Sequence, residues 1–330
     1  MFDPCCLRMD ASLNRTRLGA LARAEPDWVG QPAFGLLSRD ALVELVAHLG
    51  ESVAERIFGR RLGHLIATLH LGGDMDAIET EWRRAYRAHW RTIQQVWLAG
   101  GLAERLGPGL SAGARSEADR LGANRVSIEL APYPSSLPLI GAARNSESEG
   151  AHAVVLDFGH TAIKRGVATY QNTSLLRIEL LEPRRAPPAD HVIETVIEEI
   201  ADTLTVAPED VDPQVLVSLA SYVSPSGEPE DSHSLYAPLR TLAPAALADA
   251  VRQRSGRPVE RVRFEHDGTL AAAGVVSDVP AAVIMLGTAL GVGFVSSGHR
   301  LRAIASDFNV RAAHDLVEDA TGPFTHGEPP

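Results

Sequence analysis

From Ser38 to about Leu71, apolar residues recur at helical spacing: Leu42, Leu45, Val46 and Leu49, then Val53, Ile57, Leu62, Leu65, Ile66 and Leu69. Ser38 is placed to cap this run and Gly72-Gly73 to stop it, so the pattern predicts helix between them. Residues 75–95, carrying Trp82, Tyr86, Trp90 and Ile93, predict another helix. Residues 1–35 are broken by Pro4, Pro26, Gly30 and Pro32 and carry no period. A short apolar strand at residues 95–99 runs into Gly100-Gly101 and a helix to about Leu121. Residues 125–131 alternate as a strand does, and residues 135–143 open a further helix. The polar stretch 144–151 reads as a linker.

Beyond the linker the pattern turns to strands. Residues 153–157 form a buried-type strand that passes through the turn 158–161 into a second strand, Ile163 to Tyr170. A third strand, Ser174 to Leu181, completes a meander with Gln171-Asn172 at its turn. Helix (189–205), strand (214–220), helix (244–255) and strand (259–264) follow. The last of these reaches His266-Asp267-Gly268 and a small-residue helix, Thr269 to Val275. Residues 281–286 are a strand that enters Gly287-Thr-Ala-Leu-Gly-Val-Gly293 and leaves on a strand from Phe294.

A length of 330 residues, 45% hydrophobic and 22% charged, is that of a folded chain of one large or two ordinary domains. The formal net charge of −11 argues against a mainly electrostatic nucleic-acid or membrane binder. No apolar run is long enough to span a bilayer or to form a secretion signal at the start. Cys5 and Cys6 are too few for a four-thiolate zinc site, and adjacent cysteines rarely pair, so a cytoplasmic location is expected. His48, His64, His70 and His89 do not recur as a ligand pair on one helix face, which reads as packed or solvated histidine. Lys164 is the sole lysine among 31 basic residues, which marks it as a candidate functional group or a chance solvated one.

Two strand–turn–strand units, residues 156–166 and 285–295, carry the clearest chemistry. Their glycines lead into strands, unlike the helix-entering glycines of Rossmann loops and P-loops. Tight hairpin turns expose backbone N–H groups that can cradle phosphate, and Thr161 and Thr288 can add hydroxyls. Asp157, at a strand end, can hold Mg²⁺ through water.

These residues resemble the actin-like ATPase superfamily, and within it the ROK family of repressors and sugar kinases. Asp157-Phe-Gly-His-Thr161 is similar to the family's first phosphate motif, DxGGT. Glu265-His-Asp-Gly-Thr-Leu-Ala-Ala-Ala273 is similar to its catalytic-aspartate motif, NDANAAA. Gly287-Thr-Ala-Leu-Gly-Val-Gly293 is similar to its second phosphate motif, GTGxGGG. The likeness covers residues 153–298, including a Gly-x-Pro-Val at 256–259. The family's adenosine motif, a strand ending in Gly-Gly, has its match upstream at residues 96–102, and the family's closing GAA helix is matched at 139–143. The order is therefore rotated, which implies a circular permutant joined at 144–151.

The resemblance implies an α/β, two-lobed actin-like (ribonuclease H-like) fold, circularly permuted. Residues 1–134 would be the helical and adenosine-motif part of lobe II, 135–152 a helix and linker, 153–278 lobe I, and 279–330 the phosphate-2 part of lobe II. It implies an ATP-dependent kinase of a sugar or polyol with Mg²⁺ as cofactor, leaves a homodimer open, and makes a DNA-binding repressor the weaker reading. Asp267 would be the catalytic base, its carboxylate held ionised by the helix that follows. Asp157 would orient Mg²⁺. Phosphate contacts would come from Gly159, His160, Thr161, Lys164, Gly287, Thr288, Gly291 and Gly293, and adenosine would approach Gly100 and Gly101. Lys164 reaches phosphate or braces its hairpin; Asp267 is also readable as a helix cap. The family's one-His, three-Cys zinc site cannot be built from Cys5 and Cys6, so no zinc is expected. Its substrate-reading Glu-x-Gly-His is missing from 305–310, which leaves His266, Ser221 and Asp307 as acceptor-side candidates. With His160 and His266 replacing a glycine and an asparagine of the motifs, a non-catalytic nucleotide or sugar sensor of the same fold stays open as the alternative.

Overall fold

The computed structural model describes residues 13–73, 80–146, 150–230, 234–295 and 301–312. After a 3-10 turn at Leu13–Arg15 comes α1 (Ala33–Leu37). The long helical pattern divides into α2 (Arg39–Leu49) and α3 (Glu51–Leu71), because Gly50 stands between them at φ 79° and ψ 161°, outside any helix. The Ser38 hydroxyl does cap α2, accepting from the Ala41 amide at 3.2 Å. Next are α4 (Glu81–Trp90), β1 (Gln95–Ala99), α5 (Gly101–Arg120, kinked at Gly107 before Pro108), β2 (Ser127–Leu130) and α6 (Leu137–Arg144). The meander is β3 (His152–Phe158), β4 (Ala162–Gln171) and β5 (Ser174–Leu180), with the short β6 (Arg184–Arg185) beside β4. Then follow α7 (Val192–Val206), β7 (Gln214–Leu219), α8 (Pro244–Ser255), β8 (Arg261–His266) and α9 (Asp267–Gly274). The described chain closes with β9 (Ala281–Leu286), β10 (Leu290–Phe294) and β11 (Ile304–Ala312).

The fold is mixed α/β with two sheets among the described residues. One has the order β10-β9-β1-β2, the other β11-β5-β4-β3-β7-β8. Each contains an antiparallel hairpin whose first strand continues into two parallel strands: β4-β3-β7-β8 and β10-β9-β1-β2. In the larger sheet the parallel strands follow the hairpin along the chain. In the smaller one they precede it, and β1 reaches β9 in parallel from Gln95↔Ala281 to Ala99↔Met285.

Side-chain alternation sorts the layers. Val96, Leu98, Ile284 and Leu286 face the core shared with α3 and α5. Ala99, Val283 and Met285 face a middle core with α6, α9 and Val155 of the other sheet. Val154, Leu156 and Phe158 face the outer core under α7 and α8. In the middle layer α6 and α9 touch backbone to backbone. A Cβ on Gly141 would lie 1.6 Å from the Leu270 carbonyl oxygen, and one on Gly274 would lie 2.7 Å from that of Leu137. Leu137 and Gly141 on α6 thus meet Leu270 and Gly274 on α9 reciprocally, as a local two-fold would arrange them.

Residues 304–312 depart from expectation. They were assigned to the phosphate-2 part of lobe II, within a stretch expected to be helical, yet β11 runs parallel to β5 at the edge of the other sheet. The crossing is fastened by buried Arg144, which donates to the carbonyls of Ala273, Val275 and Arg302. Cys5 and Cys6, and the join expected at 144–151 in part, lie outside the described residues.

Candidate active site

The parallel strands β3, β7 and β8 end along one crevice, where open α/β sheets place their ligands. Asp157, near the end of β3, is buried and held on both oxygens. The Ser218 hydroxyl donates to Oδ1 at 2.7 Å and the Lys164 ammonium to Oδ2 at 3.3 Å. The hairpin register sets Lys164 opposite Asp157, and the same ammonium donates to the Ser135 carbonyl just before α6. The lone lysine therefore braces the hairpin, and it also reaches the cleft wall.

Asp267 is the first residue of α9, after His266 ends β8. Its Oδ1 accepts from the Gly268 amide at 2.7 Å and lies 3.1 Å from His266 Nε2. The imidazole stacks on Tyr222, centroids 5.1 Å apart and planes within 9°. The helix start was expected to keep Asp267 ionised. Burial instead pushes its pKa up, reinforced by Asp157; His266, the Gly268 amide and His160 pull the other way. A carboxylate tuned upward is better matched to taking a proton near neutrality.

Two hairpin turns face each other across the cleft. In the first, the Gly159 amide closes on the Ala162 carbonyl at 3.1 Å, and buried Tyr236 donates to the Gly159 carbonyl at 2.6 Å. Burial, with Asp157 and Asp267 nearby, raises the Tyr236 pKa and keeps that donor protonated. In the second, the Gly287 amide closes on the Ala289 carbonyl at 3.2 Å, so β10 starts at Leu290 rather than at Phe294. Asn14 clamps it from the far end of the chain, its amide donating to the Leu290 carbonyl and accepting from the Leu290 amide, each at 2.8 Å. Gly100 sits at φ 92°, and a Cβ there would lie 2.4 Å from the Leu286 carbonyl oxygen.

These parts enclose a cavity of about 500 Å³, within the size range of small-molecule sites. Of the residues singled out in the sequence, it gathers Asp157, Gly159, His160, Thr161, Lys164 and Ser221 from the larger sheet. His266 and Asp267 join them, and Gly100, Gly101, Gly287, Thr288 and Gly291 complete the opposite wall. Ser221 is buried and its hydroxyl has no hydrogen-bond partner among the described residues. Gly293 does not reach the cavity: it lets β10 touch α9, a Cβ there falling 1.8 Å from the Gly268 carbonyl oxygen. Asp307 is on β11, exposed and outside the cavity lining, so the acceptor-side expectation for it is corrected. Sequence reasoning missed Asn14, Tyr236, Ser218, Tyr222, Arg39 and Arg105, all but Ser218 and Tyr236 in the cavity wall. Ser218 alone left a signal, a hydroxyl inside an otherwise apolar strand.

The residues present fit Mg²⁺. Asp157 offers one carboxylate at the cavity wall, and no three His, Cys, Asp or Glu converge as a metal cage among the described residues. A cation here would complete its shell with water and phosphate oxygens, the usual arrangement for Mg²⁺. No helix among the described residues is long and apolar enough to cross a membrane.

No family model matches the chain, and no curated protein matches it. Among solved structures it is similar to the ROK family glucokinase from Streptomyces griseus in complex with glucose and AMPPNP, at 26% identity and a TM-score of 0.31, over 46% of each chain. It is also similar to the type II variant of the Ppx/GppA phosphatase from Aquifex aeolicus, at 10% identity and a TM-score of 0.37, over 71% of this chain and 87% of that one. RuvC from Thermus thermophilus is similar over 38% of this chain and 73% of its own, at 15% identity and a TM-score of 0.23. The match to the glucokinase thus spans less than half of that chain.

Proposed function

We propose that this chain is an ATP-dependent phosphotransferase acting on a hydroxyl of a sugar or related polyol, built on a circularly permuted actin-like fold. The observation that carries it is the convergence of Asp157, Asp267, the two hairpin turns and Gly100 on one cavity. The permutation is supported by the shared strand order of the two sheets, by the β1–β9 pairing and by the reciprocal contact of α6 and α9. Among the described residues the lobes are then 153–278 with 304–312, and 13–134 with 279–295, with 135–152 between them.

The turns at 159–161 and 287–289 hold the β- and γ-phosphates, and Gly100-Gly101 lets the adenosine approach the start of α5. Asp157 would hold Mg²⁺ through water, and the ion, when bound, would supply charge neutralisation at the phosphates. Asp267 takes the proton of the acceptor hydroxyl on its free Oδ2. The hydroxyl oxygen attacks the γ-phosphorus, the bond from that phosphorus to the bridging oxygen breaks, and ADP leaves with the electron pair. Lys164 stays on Asp157 and offsets charge along the first turn. The orphan hydroxyl of Ser221 lies one strand over from Asp267, where it gives the acceptor a hydrogen-bond partner. The alternative, a nucleotide or sugar sensor without turnover, draws on the His160 side chain in the cavity wall, which narrows the space beside the first turn.

Transfer of radiolabelled γ-phosphate from ATP across a panel of sugars and polyols tests the proposal. Turnover with wild type and its loss by about 10²–10⁴ in Asp267→Asn supports it. MgATP binding with no transfer to any acceptor, the variant matching the wild type, supports the sensor.

A further inference from the structure

We infer that Tyr236 is a positioning residue for the first phosphate turn. By holding the Gly159 carbonyl it fixes the peptide between Gly159 and His160, so that the His160 N–H faces the cavity and meets a phosphate oxygen. The inference rests on the reading of this cavity as the site of the donor's phosphates. The Tyr236 hydroxyl donates to the Gly159 carbonyl oxygen at 2.6 Å, across 77 positions of chain. No peptide bond among the described residues is cis, so the Gly159 carbonyl and the His160 N–H point in opposite directions. Gly159, His160 and Thr161 line the cavity, whereas Tyr236 stands behind them, outside its lining. A carbonyl turned back to Tyr236 therefore turns the next amide forward.

The rest of the turn is pinned in the same sense. The Gly159 amide closes on the Ala162 carbonyl at 3.1 Å, and the Thr161 carbonyl accepts from the Ala186 amide at 3.2 Å. Among the described residues the amides of His160 and Thr161 donate to no protein group, which leaves them as the turn's backbone donors for an anion. Tyr236 is itself firmly held. Its ring is fully buried and stands edge-on to Phe158 of β3, centroids 6.1 Å apart and planes at 86°. Its amide donates to the Ser234 hydroxyl at 3.2 Å, and its carbonyl accepts from the Leu239 amide at 3.1 Å. Phenylalanine would fill the same space, so what the hydroxyl adds is the direction of one peptide. An amide already aimed at phosphate needs no reordering when the ligand binds.

Calorimetric titration of the full chain with MgATP and with AMP separates this role from packing, since AMP shares the adenosine and lacks the β- and γ-phosphates. Tyr236→Phe keeps the ring against Phe158 and removes the donor. It weakens MgATP by about 10–100-fold, the scale of one hydrogen bond to a charged group, and leaves AMP within about twofold. His160→Pro deletes the amide itself at an exposed position and weakens MgATP on the same scale. Adding Tyr236→Phe to it costs less than about twofold more, because both changes remove one interaction. A Tyr236→Phe chain that melts earlier yet keeps the wild-type preference for MgATP over AMP overturns the inference, for the hydroxyl then serves stability alone. So does a His160→Pro chain with that preference intact, a result that stands even where Tyr236→Phe does not fold. If the wild type binds MgATP no tighter than AMP, the reading of the cavity as a phosphate site fails, and the inference falls with it.

Discussion

Asn14 is the most exposing test of how the chain is put together, because it comes from a segment without sequence pattern and holds a turn 276 residues away. Asn14→Ala removes two hydrogen bonds of 2.8 Å to the Leu290 backbone. Each contributes about 0.5–1.5 kcal/mol net, so the pair is worth about 1–3 kcal/mol. Leu290 is only 3% exposed, which pushes the cost toward the upper end, while the neighbouring cavity lets water recover part of it. Asn14→Asp keeps the acceptor for the Leu290 amide and sets a carboxylate oxygen against the Leu290 carbonyl, so it costs at least as much. Because the clamped residue follows the turn at 287–289, both variants also weaken nucleotide binding. Chemical denaturation gives the stability, and the rise in melting temperature with millimolar MgATP gives the binding, by linkage. Stability within about 0.3 kcal/mol of wild type together with an undiminished MgATP shift would refute the reasoning, since a contact of this geometry would then contribute nothing.

Three further outcomes follow from the same geometry. Gly141→Val forces α6 and α9 apart against a carbonyl 1.6 Å from the new Cβ, so it destabilises by more than about 3 kcal/mol or prevents folding, read by denaturation. The raised pKa of Asp267 means the folded state holds this proton more tightly than the unfolded chain. Wild-type stability therefore declines relative to Asp267→Asn as pH rises past the ordinary aspartate range, and the gap closes in acid; kcat of the wild type falls as pH drops through that raised value. On the proposed reading, in which the Ser221 hydroxyl serves the acceptor, Ser221→Ala raises the acceptor KM by about 3–10-fold with a smaller change in the KM for ATP; equal effects on both would place Ser221 elsewhere in the chemistry.

What the sequence made legible was what local chemistry encodes. The glycine-bearing turns at 159–161 and 287–291 announce themselves as short punctuation between two apolar strands, and the strand before Gly100 is short, apolar and punctuated. The two-layered pattern around 153–286 followed from strands of period two and helices between them. The split at Gly50 was present in the letters, but the apolar stripe runs through it, and periodicity alone does not register a single break. β11 could not be placed, since residues 304–312 mix Asp, Asn and Arg with Ile, Phe and Val and pair with a strand more than a hundred positions away. Asp307 was misplaced for the same reason. Asn14 and Tyr236 act through single hydrogen bonds across the fold, which leave no trace in spacing. Gly293 was read as a phosphate contact from its place in a glycine run, whereas the run serves two purposes, a turn and a close approach of β10 to α9.

A crystal structure with Mg²⁺ and a non-hydrolysable ATP analogue tests the central claim most directly. The β- and γ-phosphates are expected between the turns at 159–161 and 287–289, the adenosine against Gly100-Gly101, and the γ-phosphate facing the carboxylate of Asp267. A nucleotide bound outside this cavity, or one that leaves Gly100-Gly101 untouched, would contradict it.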